Sequence, residues 1–451
     1  MTDGIRFRDT FTRDARAILV LAGPLAVNNL VLAGMMLTNT AMAGRLGPGP
    51  LAGVAVGNSY YQAFWLFGLG VLMSISPLVA HAYGGGRDLE VGRRFRQGVW
   101  LALMLAVPLV GLLACVEPVL RWFGTDPGVI PHASGYVHAM CFGMPAMLVF
   151  LAHRYTSEGI GWTRPVMYTA LVGLSVNVAG NLLFTRGSFG IASQGAAGCG
   201  IATALACWAM LATMHLYQRR HAVYRRFRLF ARLDAPHPPS LREILALGLP
   251  ISGSVVSEGA LFVVAALLMS TLGTVQVAAH QVAIAYASLM FMLPLSLHSA
   301  TTIHVGHQVG RGDAAAGRNA GWAGIAMCGI VMAVSSLVIL FAREEVAAAF
   351  TTDPAVLALA TSLLLYVAVF QIPDGLQVGA AGALRGFKDA YVPMALNFTA
   401  YWLIGYPLAW WLGIRMGAGP AGIWSGLIAG LFACAAFLLW RWRWTSQSSS
   451  R

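Results

Sequence analysis

Two carboxylates stand where an apolar chain has little reason to keep a charge. Glu258 follows Pro250-Ile-Ser-Gly-Ser-Val-Val-Ser and precedes Gly-Ala-Leu-Phe-Val-Val, and Asp374 lies within Phe370-Gln-Ile-Pro-Asp-Gly-Leu-Gln. An ionised side chain at the centre of a membrane-spanning helix costs at least about 2.5–3.5 kcal/mol. No basic residue falls deep in the apolar runs, so neither acid is expected to find an arginine partner. Desolvation favours the neutral carboxyl over the charged one, so each acid is poised to exchange a proton or to hold a cation instead. Glu258 and Asp374 are therefore the candidate ion- or proton-coupling residues, and together a possible Na+ site. A structural carboxylate satisfied by neighbouring hydroxyls is the competing reading.

Other polar groups fall at similar depths. Asn39 sits near the end of the first apolar run, while Asn177 and Asn181 are four residues apart and share one helix face. His280 lies inside an apolar stretch and is a candidate proton relay. His298, His304 and His307 have spacings that suit no standard zinc motif, and they read as polar residues at a helix end. Tyr286, Phe370, Tyr401 and Trp402 are placed where a cavity could offer their ring faces to an organic cation.

The elements that must position these residues are helices in a bilayer. Hydrophobic residues make up 58% of the 451-residue chain and charged residues 10%. A water-facing domain needs about 25% charged residues, so most of this surface does not face water. Runs of bilayer length recur throughout without period-two alternation, which selects helices over a closed barrel. Twelve spans are expected, near 17–43, 51–82, 97–119, 131–154, 164–186, 196–217, 243–272, 275–306, 319–342, 356–384, 391–415 and 420–440. The first reads as a retained helix, being too long and too polar at its end for a cleaved export signal. Pro24 and Pro250 enter the first span of each half, and Pro145 and Pro373 are expected to interrupt the fourth.

Charge orients the chain. All but five of the 29 basic residues (Arg45, Arg121, Arg186, Arg343 and Arg415) fall on the side that holds both termini. By the positive-inside rule that side is cytoplasmic, so the net charge of +12 sets topology and does not imply a nucleic-acid partner.

The chain also repeats itself. Phe123-Gly-Thr-Asp-Pro-Gly-Val-Ile returns as Phe350-Thr-Thr-Asp-Pro-Ala-Val-Leu; Pro24 matches Pro250, Leu46-Gly47 matches Leu272-Gly273, and Pro145 matches Pro373, all at shifts of 226–228. This divides the chain into a six-helix lobe at 1–217, a basic connection at 218–242, and a second lobe with a short tail at 243–451. An even number of helices per copy gives parallel repeats, and hence two lobes around a central cleft. The polar loading is unequal: Glu258 and Asp374 map onto Leu32 and Ala146, whereas Asn39, Asn177 and Asn181 map onto Ala265, Gly405 and Ala409.

These stretches resemble the multidrug and toxic compound extrusion family in its NorM-like bacterial branch. The resemblance rests on Met42-Ala-Gly44, Phe67-Gly-Leu-Gly-Val-Leu-Met73, Pro250 through Glu258, Leu272-Gly273 through Ala278-Ala-His-Gln-Val-Ala283, and Ala380-Ala-Gly-Ala-Leu-Arg-Gly-Phe-Lys-Asp389. It implies twelve helices in two lobes and efflux of amphipathic, often cationic compounds in exchange for H+ or Na+, with no other cofactor. It also places the cation site on Glu258 and Asp374. Two departures stand out. Asn39 occupies a position where many relatives have aspartate, leaving Asn39, Asn177, Asn181 and Thr203 as candidate substrate-contacting or sodium-ligating groups. Phe370 stands where a tyrosine is frequent. No nucleophile elbow, phosphate loop or zinc-protease motif is present, which argues against an enzyme or ATP-driven pump. The expected protein is a monomer of the bacterial inner membrane, in contact with lipids and small cationic substrates. A lipid-linked oligosaccharide flippase of the same superfamily and a non-transporting membrane binding protein are the alternatives.

Overall fold

A computed structural model describes the backbone of residues 2–187, 190, 192–231 and 234–448, and side chains from residue 10 to residue 447 within those ranges. Arg232, Arg451 and the side chains of Arg6 and Arg8 lie outside the described residues. Among the described residues every regular element is helical. The first half comprises α1 (Thr2–Gly44), α2 (Pro48–Met73), α3 (Ile75–Gly84), α4 (Asp88–Ala114), α5 (Val116–Trp122), α6 (Ile130–Gly159), α7 (Arg164–Gly180) and α8 (Gly195–Arg220). A 3-10 turn at Ala222–Phe227 precedes α9 (Pro238–Ser270), α10 (Thr274–Gly310), α11 (Ala314–Phe350) and α12 (Pro354–Gly386). The chain ends with α13 (Tyr391–Phe398), α14 (Tyr406–Trp410) and α15 (Gly419–Ser448).

Among the described residues, eleven helical runs are long and apolar enough to cross a membrane, with α2 and α3 forming one of them. The remaining expected span is Tyr391–Arg415, which is helical throughout but widened into π-helix at Thr399–Gly405 and again at Trp411–Arg415. A third π turn, Asn181–Thr185, closes α7. The 228-residue shift carries 181–185 onto 409–413, which overlaps the π turn at Trp411–Arg415, so the fifth span of each half departs from α-geometry near its end. The chain is thus a multi-pass helical membrane protein.

Several repeated landmarks now have a physical cause. Gly47 and Gly273 adopt φ of 118° and 131° immediately before α2 and α10, a region open essentially to glycine alone. Asp353 accepts from the backbone N–H groups of Ala355 and Val356 at 2.9 and 3.1 Å and so caps α12, with Pro354 in its first turn. Asp126 accepts from Gly128 N at 2.7 Å in the matching turn of the first half.

Other expectations need correction. Pro145 and Pro373 do not interrupt their helices; they lie inside α6 and α12, as Pro24 and Pro250 lie inside α1 and α9. In a bilayer, packing against neighbouring helices lets a helix continue past the one bond a proline removes. The observed breaks fall elsewhere, at Ser74 between α2 and α3 and at Ala342 (φ −109°, ψ 20°) within α11. The fourth span does not end at residue 154. The helix carries on to Gly159, and buried Arg154 pairs with Glu158 at 2.6 Å.

The helices form two compact units, Val27–Ser252 (the N unit) and Gly253–Arg451 together with Met1–Ala26 (the C unit). These limits differ from 1–217 and 243–451 because packing assigns the opening residues of α1 and α9 to the opposite halves. In the N unit, Ser74 Oγ donates to Ile244 O at 3.0 Å, Arg94 binds Glu243, and Ser252 Oγ donates to Phe67 O at 3.0 Å. In the C unit, Ile18 and Ala22 are buried against Leu297, Ala300 and Ala323, and His304 lies 3.2 Å from Asp14. The main core of the C unit gathers Leu261, Tyr286, Leu363, Phe370, Tyr401, Trp424 and Trp442.

Candidate functional site

Within the C unit, α9, α12 and the π-helical part of the eleventh span converge on the two acids. Asp374 is buried and Glu258 half-buried. Gln377, one turn beyond Asp374, joins them: its Nε2 donates to Asp374 Oδ1 at 3.2 Å and makes a longer 3.5 Å contact with Glu258 Oε1. Its Oε1 accepts from the Tyr401 hydroxyl at 2.7 Å. Gly375 lets α12 come close to α11 here, since a Cβ would stand 2.8 Å from Cys328 O. Among the described residues no lysine or arginine forms an ion pair with either acid. Arg385, at the end of α12, donates from its guanidinium to His298 Nε2 at 3.0 Å.

Such a site provides carboxylate oxygens without a fixed counter-charge. It can share a proton between two acids, hold a small cation through hard oxygen ligands, or attract an organic cation. Gln377 fits each state, because its amide donates to a charged carboxylate and to the carbonyl oxygen of a protonated one.

Not every expected aromatic joins this cluster. Tyr401 enters it through its hydroxyl and not its ring face. Phe370 is buried edge-on to Phe262 and Trp424 at 6.0 and 5.7 Å. Trp402 lies one step further out and donates to Ser257 Oγ at 2.8 Å. Tyr286 is held on α11, with its hydroxyl 3.2 Å from both Ser335 oxygens, and has no direct bond to either acid. His280 is buried beside Trp424 at 5.7 Å with Nδ1 unpaired among the described residues. It makes no direct hydrogen bond to the acids. His298 corrects the reading of a helix-end residue: it is buried, and its Nδ1 lies 2.8 Å from Val378 O. Sequence reasoning missed Gln377 and Gln371, although their spacing showed them at three residues either side of Asp374, on its helix face. Gln371 is fully buried, with both amide atoms unpaired among the described residues.

The N unit brings all four of its polar candidates together. Asn39 Nδ2 donates to Thr203 Oγ1 at 2.8 Å. Its Oδ1 accepts from Asn181 Nδ2 at 2.9 Å and from Asn177 Nδ2 at 3.2 Å. Thr185 Oγ1 in turn donates to Asn181 Oδ1 at 3.1 Å, and Thr203 Oγ1 to Cys199 O at 2.9 Å. The π turn at Asn181–Thr185 presents both Asn181 and Thr185 to this network. Its members are neutral and bonded to one another, which makes it a clamp on α1, α7 and α8 with no proton to lose. Asn39→Ala strips acceptors from two amides and a donor from Thr203, at about 1–3 kcal/mol for each buried group left unpaired. The expected result is a lower unfolding temperature in detergent with the pH and Na+ dependence of drug binding unchanged. A shift in that dependence would mean that the amides take part in coupling.

Membrane-crossing helices that enclose an acid pair with no ion-pair partner among the described residues define a polytopic membrane protein of transporter build. A family model described as MatE matches residues 24–183 and again 250–411, and the chain belongs to that family. The two matches begin at Pro24 and Pro250, in step with the internal repeat. The chain is 41% identical to the probable multidrug resistance protein NorM of Xanthomonas campestris pv. campestris, over 97% of this chain and 95% of the relative. It is 37% identical to the multidrug resistance protein MdtK of Yersinia pseudotuberculosis serotype O:1b, over 96% of each. Among solved structures it is similar to the eukaryotic MATE transporter AtDTX14, with a TM-score of 0.89, 19% identity, and coverage of 98% of this chain and 99% of that one. An outward-facing MATE family transporter of the MOP superfamily matches at a TM-score of 0.87 and 19% identity over 97% of both chains. At such identities the structural likeness speaks to the fold.

Proposed function

We infer that this chain is a secondary multidrug efflux antiporter, exporting amphipathic cationic compounds in exchange for H+ or Na+. The observation that carries the reading is the pair formed by buried Asp374 and half-buried Glu258, joined by Gln377 and without an ion-pair partner among the described residues. The names of the NorM and MdtK relatives support the substrate class. One carboxylate pair serves two cations in turn. A bound drug is released when a proton or Na+ takes its place, and release of that ion restores the negative charge which attracts the next drug. Competition for one charge couples the two fluxes without any direct contact between drug and ion. The bacterial NorM and MdtK relatives support localisation in a bacterial inner membrane, the placement of the basic residues supports cytoplasmic termini, and a monomer contains both polar clusters.

Everted membrane vesicles test the assignment. Ethidium should accumulate in them against its gradient when a pH or Na+ gradient is imposed, and leak out when that gradient is collapsed. Saturable ethidium binding with no gradient-driven accumulation would identify a membrane binding protein instead.

A further inference from the structure

The end of α8 and the segment that follows it carry Arg219, Arg220, Arg225, Arg226 and Arg228 within ten residues, and the described part of this stretch is built firmly into the N unit. Tyr224, Phe227 and Leu229 are buried. Ser157 Oγ donates to Trp162 O at 2.7 Å, so in the 2.5 Å bond between Tyr224 and Ser157 the Tyr224 hydroxyl is the donor. Burial pushes the Tyr224 phenol above its ordinary range, so it remains a donor. Arg228 adopts a left-handed φ of 51°, and its carbonyl accepts from Arg96 Nη1 at 3.0 Å. The Phe227 carbonyl lies so close to Gly92 that a Cβ there would collide with it. The arginines thus project from an ordered backbone.

Aromatic rings lie beside them at the end of the α8 span. Tyr217 stacks on His221 at 5.0 Å, Trp162 Nε1 donates to the Tyr217 hydroxyl at 3.3 Å, and Arg164 lies over the Trp162 ring. Tryptophan and tyrosine gathered at the end of a span mark the headgroup level of a bilayer. Nearby cations are already matched: Arg94 by Glu90 and Glu243, and Arg96 by Asp234 at 2.6 Å. Arg226 lies over the Tyr83 and Phe227 rings, 3.8 Å from Asp88. Arg219, Arg220, Arg225 and Arg228 are exposed, and none has a carboxylate within ion-pair distance among the described residues.

We propose that Arg219, Arg220, Arg225 and Arg228 form a binding site for the phosphate headgroups of anionic phospholipids. Guanidinium groups pair with phosphate oxygens through two parallel hydrogen bonds. A free anion would need an enclosed pocket to be held, whereas this array is open and sits beside headgroup-level aromatics. A bilayer holds phosphodiesters at that level at high local concentration. The lipid anchors the connection between the two repeats and does not enter the acid site.

The test uses the full-length protein in mixed micelles holding equal amounts of phosphatidylglycerol and phosphatidylcholine, with retained lipid measured by mass spectrometry after a detergent wash. Wild-type protein should retain phosphatidylglycerol at least about tenfold over phosphatidylcholine. High salt should reduce this preference, and millimolar inorganic phosphate should leave it intact. Replacing all four arginines with glutamine should abolish it, and replacing them with lysine should leave a reduced preference, since the charge stays while the paired hydrogen bonds are lost. The unfolding temperature and ethidium binding of the glutamine variant establish that it is folded. Equal phosphatidylglycerol enrichment in wild type and a folded glutamine variant would overturn the proposal, as would displacement by inorganic phosphate. Should the glutamine variant fail to fold, the single variants Arg225→Gln and Arg228→Gln decide: partial loss of the preference supports the site, and an unchanged preference in both overturns it.

Discussion

Glu258→Gln and Asp374→Asn should each abolish drug resistance in cells while leaving the amount of protein in the membrane unchanged. Both replacements preserve side-chain volume and can still hydrogen-bond to Gln377, so packing around α9 and α12 is conserved. What disappears is the exchangeable charge. Linkage between two ligands typically amounts to about 5–150-fold in affinity, and losing one carboxylate removes the shared charge on which that linkage depends. Growth assays against ethidium, with immunoblots of isolated membranes, provide both readouts. Full resistance in both variants would leave the acids as structural groups.

Gln377→Leu should have the next largest effect, and of a different kind. The variant keeps both carboxyls but leaves Asp374 without its amide donor and the buried Tyr401 hydroxyl without its acceptor. Each stranded group costs about 1–3 kcal/mol, so the acids are no longer held at one spacing. Drug binding should weaken at least about tenfold, while the remaining binding still responds to pH or Na+ because the exchangeable groups are present. Tyr401→Phe removes one hydrogen bond from the same chain and should give a smaller defect of the same form. Titration of tryptophan quenching by a fluorescent cationic drug measures both. If Gln377→Leu bound drug like the wild type, Gln377 would be a bystander between the acids.

Why the acids were legible and Gln377 was not is a matter of which energies leave a mark in one dimension. A carboxylate in an apolar run is conspicuous because it is costly wherever it points. The two amides of the fifth span, Asn177 and Asn181, declare a shared face through their spacing. A glutamine next to an acid on the same helix is also visible, but its role depends on Tyr401 and Glu258, which other helices supply. Likewise the repeated Leu-Gly and Asp-Pro pairs were plain as repeats, and their purpose emerged with the positive φ of Gly47 and Gly273 and the cap formed by Asp353.

The π turns were hidden for a related reason. Around Gly405 and Gly413 the backbone comes close to the backbone of α15, as Gly405 faces Gly430 and Gly413 faces Gly422. Glycines in membrane helices are common, and nothing in their spacing separates a close crossing from a widened turn. The unit limits were obscured in the same way. Hydropathy treats α1 and α9 as ordinary spans, while the packing of Ile18 and Ala22, and the bonds of Glu243 and Ile244, divide each helix between two units.

Competition between drug and ion at one acid pair is measured most directly by drug affinity. Binding of a fluorescent cationic drug to purified protein would be titrated across pH and across Na+ concentration, in wild type and in the Glu258→Gln/Asp374→Asn double variant. Lower pH protonates the carboxyls and added Na+ neutralises them, so the wild type should bind the drug more weakly as one or both rise in H+ or Na+ activity. The double variant should bind weakly and show no dependence on either ion. A double variant that kept the wild-type dependence would contradict the account, because the coupling ion would then be bound elsewhere.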